Sequence, residues 1–149
     1  MLPAGSWLTR AVDKREVLQC LSSAVWAPND GLREPWRFLY IDGAYTAQAL
    51  PEHEAAPAHL VVIAHQRKSS HIQEEDLCAV YGLIQNLRLL IREHGLATRI
   101  AIEEWMYGQA ARLRLGIADD ERIAAVMDMG YVSEFARNKS TRLRMDSLK

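Results

Sequence analysis

The sequence predicts an α/β fold of the α+β kind, in which helices cover both faces of one central mixed β-sheet. Two observations carry this prediction. Apolar residues recur at three- and four-residue steps in several stretches, which indicates amphipathic helices, whereas short runs rich in β-branched residues indicate strands. The order along the chain is helix, strand, short helix, strand, long helix, strand, helix and strand, and this alternation is typical of a layered domain.

The first helix leads into a polar loop. Asp13 and Glu16 form a predicted capping box at its start. The helix has a predicted buried face of Val17, Leu18, Leu21, Ala24 and Val25. Pro28 ends the helix, and residues 27–35 then form a loop rich in turn-forming residues before a strand at 37–41. A polar loop between two rigid elements commonly carries binding groups, and a plain connector with a buried tryptophan is the alternative.

The remaining elements follow the same patterns. The predicted bounds are a short helix at 45–50, strands at 60–64, 97–102 and 122–131, and a helix at 109–115. The long central helix begins after a Ser69 or Ser70 cap and ends before Gly95. It has an apolar stripe of Leu77, Val80, Tyr81, Ile84, Leu87, Leu90 and Ile91. Since the stripe is wide, we expect a second copy of the chain to bury part of it.

Composition limits the classes of function. The 149 residues fit one domain, residues 1–149, with an irregular N-terminus at 1–12 and a basic tail at 135–149. The formal net charge of −1 implies no polyanionic partner, so we expect no binding to nucleic acid. No apolar run approaches the ~20 residues of a membrane helix, and the N-terminus lacks a signal-peptide core. We therefore expect a cytoplasmic protein without a membrane partner.

The sequence predicts no metal site. Cys20 and Cys78 lie far apart in apolar helical contexts and match no metal spacing. They are predicted to be reduced core thiols, and a disulfide between them is the alternative. The pair His53-Glu54 lacks the second histidine four residues after His53 that a zinc-binding helix requires, and Pro51 favours a loop.

Four segments, in order, resemble the FMN-dependent nitroreductase family. They are the loop and strand entry at 27–38 with its Glu-Pro-Trp-Arg-Phe motif, the strand entry Ala-Pro-Ala-His at 56–59, the helix segment from Gln-Asn-Leu at 85–87 to Glu-His-Gly-Leu at 93–96, and Met-Gly-Tyr at 129–131. The chain resembles a short member that lacks the family's N-terminal Arg/Ser segment, which grips the FMN phosphate. No Ser/His/Asp set or phosphate-binding glycine loop competes with this resemblance.

The resemblance implies candidate flavin contacts. Asn29 and Arg33 are expected to donate to ring or ribityl oxygens, and Glu34 is expected to accept from a ring or ribityl donor. In related proteins the loop that corresponds to residues 103–108 packs over the flavin ring, so the resemblance makes three residues of this loop candidate ring contacts: Glu103, Glu104 and Trp105. In the basic tail, Lys139 and Arg142 resemble the pair that neutralises the phosphate. No side chain is expected to act as a nucleophile, because the flavin ring carries the hydride chemistry.

The function implied is an FMN-dependent NAD(P)H oxidoreductase of nitroreductase type. It would use NADH or NADPH as electron donor and reduce a nitroaromatic, a quinone or a similar small acceptor. Family members form homodimers with the flavin at the subunit interface, so a homodimer is expected here. The alternative is a flavin-poor protein of the same fold that acts as a binding or assembly subunit without its own catalysis.

Overall fold

The computed structural model describes residues 7–25 and 35–133. The helices are α1 (Lys14–Ala24), α2 (Tyr45–Ala49), α3 (Ser70–Glu93) and α4 (Gln109–Leu115). The strands are β1 (Trp36–Asp42), β2 (Ala58–His65), β3 (Ala97–Ala101) and β4 (Glu121–Gly130). Two 3₁₀ turns connect them, Pro51–His53 before β2 and Glu104–Tyr107 after β3. The element order therefore agrees with the prediction.

The four strands form one sheet in the order β1-β2-β4-β3. All three ladders are antiparallel, so within the described residues the predicted mixed sheet is wrong. Between β1 and β2 the chain forms only the five-residue helix α2 and one 3₁₀ turn, and not the longer helix that usually joins parallel strands across a face of the sheet, so β2 returns antiparallel beside β1. The two middle strands, β2 and β4, are buried along almost their whole length, as strands covered on both faces should be.

Helices cover both faces of the sheet, as predicted. One face packs against α1 and α3 and includes Leu60 and Val62 of β2. The other face packs against the second 3₁₀ turn and α4 and includes Val61 and Ile63. Alternation along β2 thus sends neighbouring residues into different halves of the core.

The central helix is buried mainly by its own chain. Its fully buried residues include Val80, Leu83, Ile84, Leu87 and Ile91, and they pack in the same core cluster as α1 and the sheet. Burial of the apolar stripe therefore does not itself require a second copy. Leu89, on the same helix, is 59% exposed.

The helix ends agree with the sequence, with some differences in burial. The Asp13 side chain accepts from the Arg15 amide, and Gly95 has the positive φ expected beyond the end of α3. Leu18 is 41% exposed, so its predicted place on the buried face of α1 is wrong. Cys20 is a buried free thiol, as predicted, whereas Cys78 is a free thiol on the surface rather than in the core.

Across residues 7–25 and 35–133, no helix is both long enough and apolar enough to span a bilayer.

Candidate functional site

The most polar part of the interior is a group of two histidines and two carboxylates. His53, His59 and Asp128 are buried, and Glu103 lies beside them with its side chain 37% exposed. We call these four residues the histidine–carboxylate cluster. The cluster lies between the sheet and the 3₁₀ turn at Glu104–Tyr107, so it extends from the core to the protein surface.

The sheet register places two members of the cluster side by side. His59 of β2 lies directly opposite Asp128 of β4, and Arg99 of β3 lies opposite Asp128 on the other side. Residues in register on neighbouring strands point to the same face, so His59 and Asp128 meet on the face that carries Val61. The 3₁₀ turn Pro51–His53 then brings His53 onto that face.

Asp128 accepts from both histidines. Its Oδ2 lies 2.7 Å from Nδ1 of His53, and its Oδ1 lies 2.7 Å from Nδ1 of His59. Nε2 of His53 lies 2.6 Å from Oε1 of Glu103. Both ring nitrogens of His53 face a carboxylate oxygen, an arrangement that favours the doubly protonated ring. Nε2 of His59 is buried and has no hydrogen-bond partner in the described structure.

Burial and hydrogen bonding act in opposite directions on these groups. Burial favours the neutral form of His53, but the hydrogen bonds and charges of Asp128 and Glu103 outweigh it and raise the pKa of the ring. Burial would raise the pKa of Asp128, yet the bonds from His53 and His59 hold that pKa below its ordinary value. The pKa of Glu103 is likewise lowered, against burial, by Trp105 and His53. At both carboxylates the hydrogen bonds therefore favour the ionised form and outweigh the effect of burial.

Trp105 forms the outer layer of the cluster. Its indole Nε1 donates to Oε1 of Glu103 at 2.9 Å, the oxygen that also faces His53. The Arg114 guanidinium carbon lies 5.8 Å from the centre of the indole ring. The orientation of this half-buried ring is thus fixed by contacts within the chain.

The structure describes three of the predicted flavin contacts. Glu103 points inward and uses Oε1 on His53 and Trp105, whereas Glu104 is exposed and Trp105 is half-buried. The other predicted contacts lie outside the described residues: Asn29, Arg33, Glu34, Lys139 and Arg142. The structure therefore brings Glu103 and Trp105 into contact with each other, and all eight flavin assignments stay predictions.

Sequence reasoning missed His59 and Asp128. Each is a polar residue inside an otherwise apolar run of a buried strand, His59 before Leu60 and Asp128 between Met127 and Met129. Buried ionisable side chains almost always have partners, so this pattern was a usable signal. The test for a zinc motif considered only a second histidine on the same helix as His53. It could not detect His59, which lies on a strand.

Comparison with known proteins identifies the fold. No protein-family model matches the chain. The Bacillus subtilis (strain 168) protein named "Putative NAD(P)H nitroreductase YfhC" is 27% identical over 142 residues, spanning 79% of this chain and 73% of that protein. A nitroreductase-like family protein from Bacillus cereus superposes with a TM-score of 0.80 at 23% identity, over 87% of this chain and 80% of the other. A variant of the FMN- and NADPH-dependent nitroreductase NfnB from Sphigopyxis sp. strain HMH superposes with a TM-score of 0.71 at 19% identity, over 89% of this chain and 85% of the other. The fold is nitroreductase-like, and the resemblance found in the sequence is confirmed.

Proposed function

We propose that this chain, a nitroreductase-family protein by its fold and its sequence resemblance, is an FMN-dependent NAD(P)H oxidoreductase. The observation that carries the proposal is the agreement of two comparisons. The Bacillus subtilis relative is named for an NAD(P)H nitroreductase, and solved structures of the same fold are described as FMN-containing or FMN- and NADPH-dependent. The expected acceptor is a nitroaromatic, a quinone or a similar small molecule.

The turn at Glu104–Tyr107 fits a planar heteroaromatic ligand. It offers a half-buried indole in a fixed orientation and, next to it, the exposed carboxylate of Glu104. A flat ring can pack against such an indole without reorganising it, because Glu103 already holds its N–H group. Trp105 and Glu104 are therefore the described residues that we assign to the flavin ring, with Glu103 as a positioning residue.

The other contacts follow the sequence. Asn29 and Arg33 would donate to ring or ribityl oxygens, Glu34 would accept, and Lys139 and Arg142 would neutralise the phosphate. When bound, FMN supplies the redox chemistry by taking up a hydride from a nicotinamide and delivering it to the acceptor. The residues named above would bind and orient the cofactor.

We also propose that the protein works as a homodimer in the cytoplasm. The family resemblance supports the dimer. Sedimentation of the purified chain at micromolar concentration, where a stable monomer would contradict the dimer, tests this part separately.

The central experiment is to add FMN to the purified chain and follow the flavin absorption bands and the thermal unfolding temperature. We expect a shifted flavin spectrum, thermal stabilisation and, after loading, oxidation of NADH or NADPH in the presence of a quinone or a nitroarene. Arg33→Ala and Glu34→Ala should each lower that activity while the unfolding temperature stays unchanged. Lys68→Ala, an exposed charge on the loop before α3, is the control and should behave like the unmodified chain.

A chain that shows neither a spectral shift nor stabilisation at saturating FMN would contradict the enzyme proposal. The alternative, a binding or assembly subunit of the same fold without its own catalysis, would then become the proposed function.

A further inference from the structure

The three buried members of the histidine–carboxylate cluster have the composition of a metal site. His53, His59 and Asp128 each offer a ligand atom, and these atoms lie within 4.8 Å of one another. We propose that the cluster binds one divalent transition-metal ion, such as Zn²⁺, through these three side chains. This inference is independent of the flavin proposal.

The ligand set favours a transition metal over Mg²⁺ or Ca²⁺. Two imidazoles and one carboxylate suit Zn²⁺, Fe²⁺ or Co²⁺, whereas the harder cations prefer oxygen ligands. The Asp128 oxygens lie 2.7 Å from the nearest nitrogen of each histidine. Tetrahedral ligands around Zn²⁺ lie roughly 3.3 Å apart, as bond lengths of about 2.0–2.1 Å require. That separation lies between these 2.7 Å contacts and the 4.8 Å within which the three ligand atoms lie, so local movement of the side chains would admit the ion.

A second carboxylate, that of Glu103, contacts the ring nitrogen of His53 that would not bind the metal. Histidines that bind metal commonly donate their other ring N–H group to a carboxylate, which fixes the tautomer and the ring orientation. Glu103 lies in that place, with Oε1 2.6 Å from Nε2 of His53. Trp105 holds the same oxygen, and Arg99 lies 3.8 Å from the other oxygen of Glu103. The contacts that would orient His53 as a metal ligand are therefore already present in the structure.

Binding of the ion requires a defined movement of protons at the two histidines. The proton on Nδ1 of His53 leaves to solvent, and the ring keeps its proton on Nε2, which faces Glu103. His59 changes tautomer, so that its proton moves to Nε2 and the lone pair of Nδ1 faces the ion. No bond within the chain breaks other than these hydrogen bonds.

The site would connect separate parts of the chain. His53 comes from a 3₁₀ turn, His59 from β2 and Asp128 from β4, and Glu103 precedes the turn that carries Trp105. An ion at this place would fasten the Trp105 turn to the middle of the sheet. Its expected effect is stabilisation of the fold and of this turn.

The first test uses the purified chain of residues 1–149 after treatment with a chelator, titrated with Zn²⁺ alone and, in a separate sample, with Co²⁺ alone. We expect one ion per chain to remain after dialysis, a higher unfolding temperature, and Co²⁺ absorption bands typical of nitrogen and oxygen ligands. Absence of uptake and of stabilisation by both ions would overturn the proposal and leave the cluster as a proton-sharing network. Thiolate bands in the Co²⁺ spectrum would also overturn it, because the exposed Cys78 would then be the ligand.

Variants locate the ion. His59→Asn keeps a donor toward Asp128 but removes the imidazole, so metal retention should be lost. Glu103→Gln still accepts from His53 and should weaken the metal affinity by about 10–100-fold. His71→Asn, at a histidine whose side chain is 81% exposed, is the matched control and should bind metal like the unmodified chain.

A folded His59→Asn chain that retains the ion would contradict the assignment. If that variant does not fold, the Glu103→Gln affinity decides, and an unchanged affinity contradicts the assignment.

Discussion

Arg37 on β1 reaches across β2 to form a bidentate pair with Glu121 at the start of β4. Its Nε donates to Oε2 of Glu121 at 2.9 Å, and a terminal nitrogen donates to Oε1 at 2.8 Å. The pair joins two strands that are not neighbours in the sheet. The hydrogen bonds from Arg37 are the main reason that the pKa of Glu121 falls to about 2.

Glu121→Gln should lower the free energy of unfolding by roughly 1–2 kcal/mol at neutral pH, a value reduced because the Arg37 side chain is 38% exposed. Since the folded pKa lies below the ordinary value of 4.5, the stabilisation is complete above pH 4.5 and is lost as the pH falls toward 2. Urea unfolding at several pH values measures it, and the two proteins should converge in acid. Glu52→Gln removes a more exposed pair with Arg114 and should cost less. Equal costs for the two variants would contradict a special role for Glu121.

Gly130→Ala should destabilise the end of β4. A Cβ at this position would lie 2.7 Å from Cγ and Cδ of Pro57 and 3.1 Å from the Trp7 ring, and a proline ring cannot rotate away. We expect a loss of about 1–3 kcal/mol in the free energy of unfolding. Gly82→Ala is the control, because nothing lies within 4 Å of its new methyl group and alanine favours the helix by roughly 0.5–1 kcal/mol. The two substitutions should therefore change thermal stability in opposite directions.

Ile84→Ala should leave a cavity between α3 and the sheet. Ile84 is 1% exposed within a single chain, and truncation of such a side chain costs about 2–5 kcal/mol. Leu89→Ala, on the same helix but largely exposed, should cost much less in dilute protein. Denaturant unfolding of both variants checks the difference. A comparable cost at Leu89 that grows with protein concentration would indicate burial of that side chain in a dimer.

The double change Lys139→Ala and Arg142→Ala tests the basic tail. If both residues hold the phosphate, FMN binding should weaken by roughly 1.5–3 kcal/mol for each lost charged hydrogen bond, reduced by solvent exposure. Riboflavin lacks the phosphate, so its affinity should hardly change. Titration of both flavins, followed by fluorescence, makes the comparison. An equal loss for both ligands would show that the tail acts on the fold instead.

Local patterns predicted most of the secondary structure but less of the candidate site. The Asp13 cap, the Gly95 stop and the helix at 109–115 depend on neighbours in sequence, and the structure confirms each of them. His59 and Asp128 are 69 residues apart, and their contact depends on the register between β2 and β4. No local period encodes that register. Strand direction was missed for the same reason, because it depends on which strands become neighbours.

The position of β4 has a consequence for synthesis. It is the last strand of the described sequence, yet it lies between β2 and β3. Until residues 121–130 leave the ribosome, β3 has no neighbour among the described strands and one edge of β2 is open. Both strands therefore expose unpaired backbone groups during this time, and such strand edges promote aggregation. A delay in translation just before β4 should lower the yield of folded protein more than an equal delay after it.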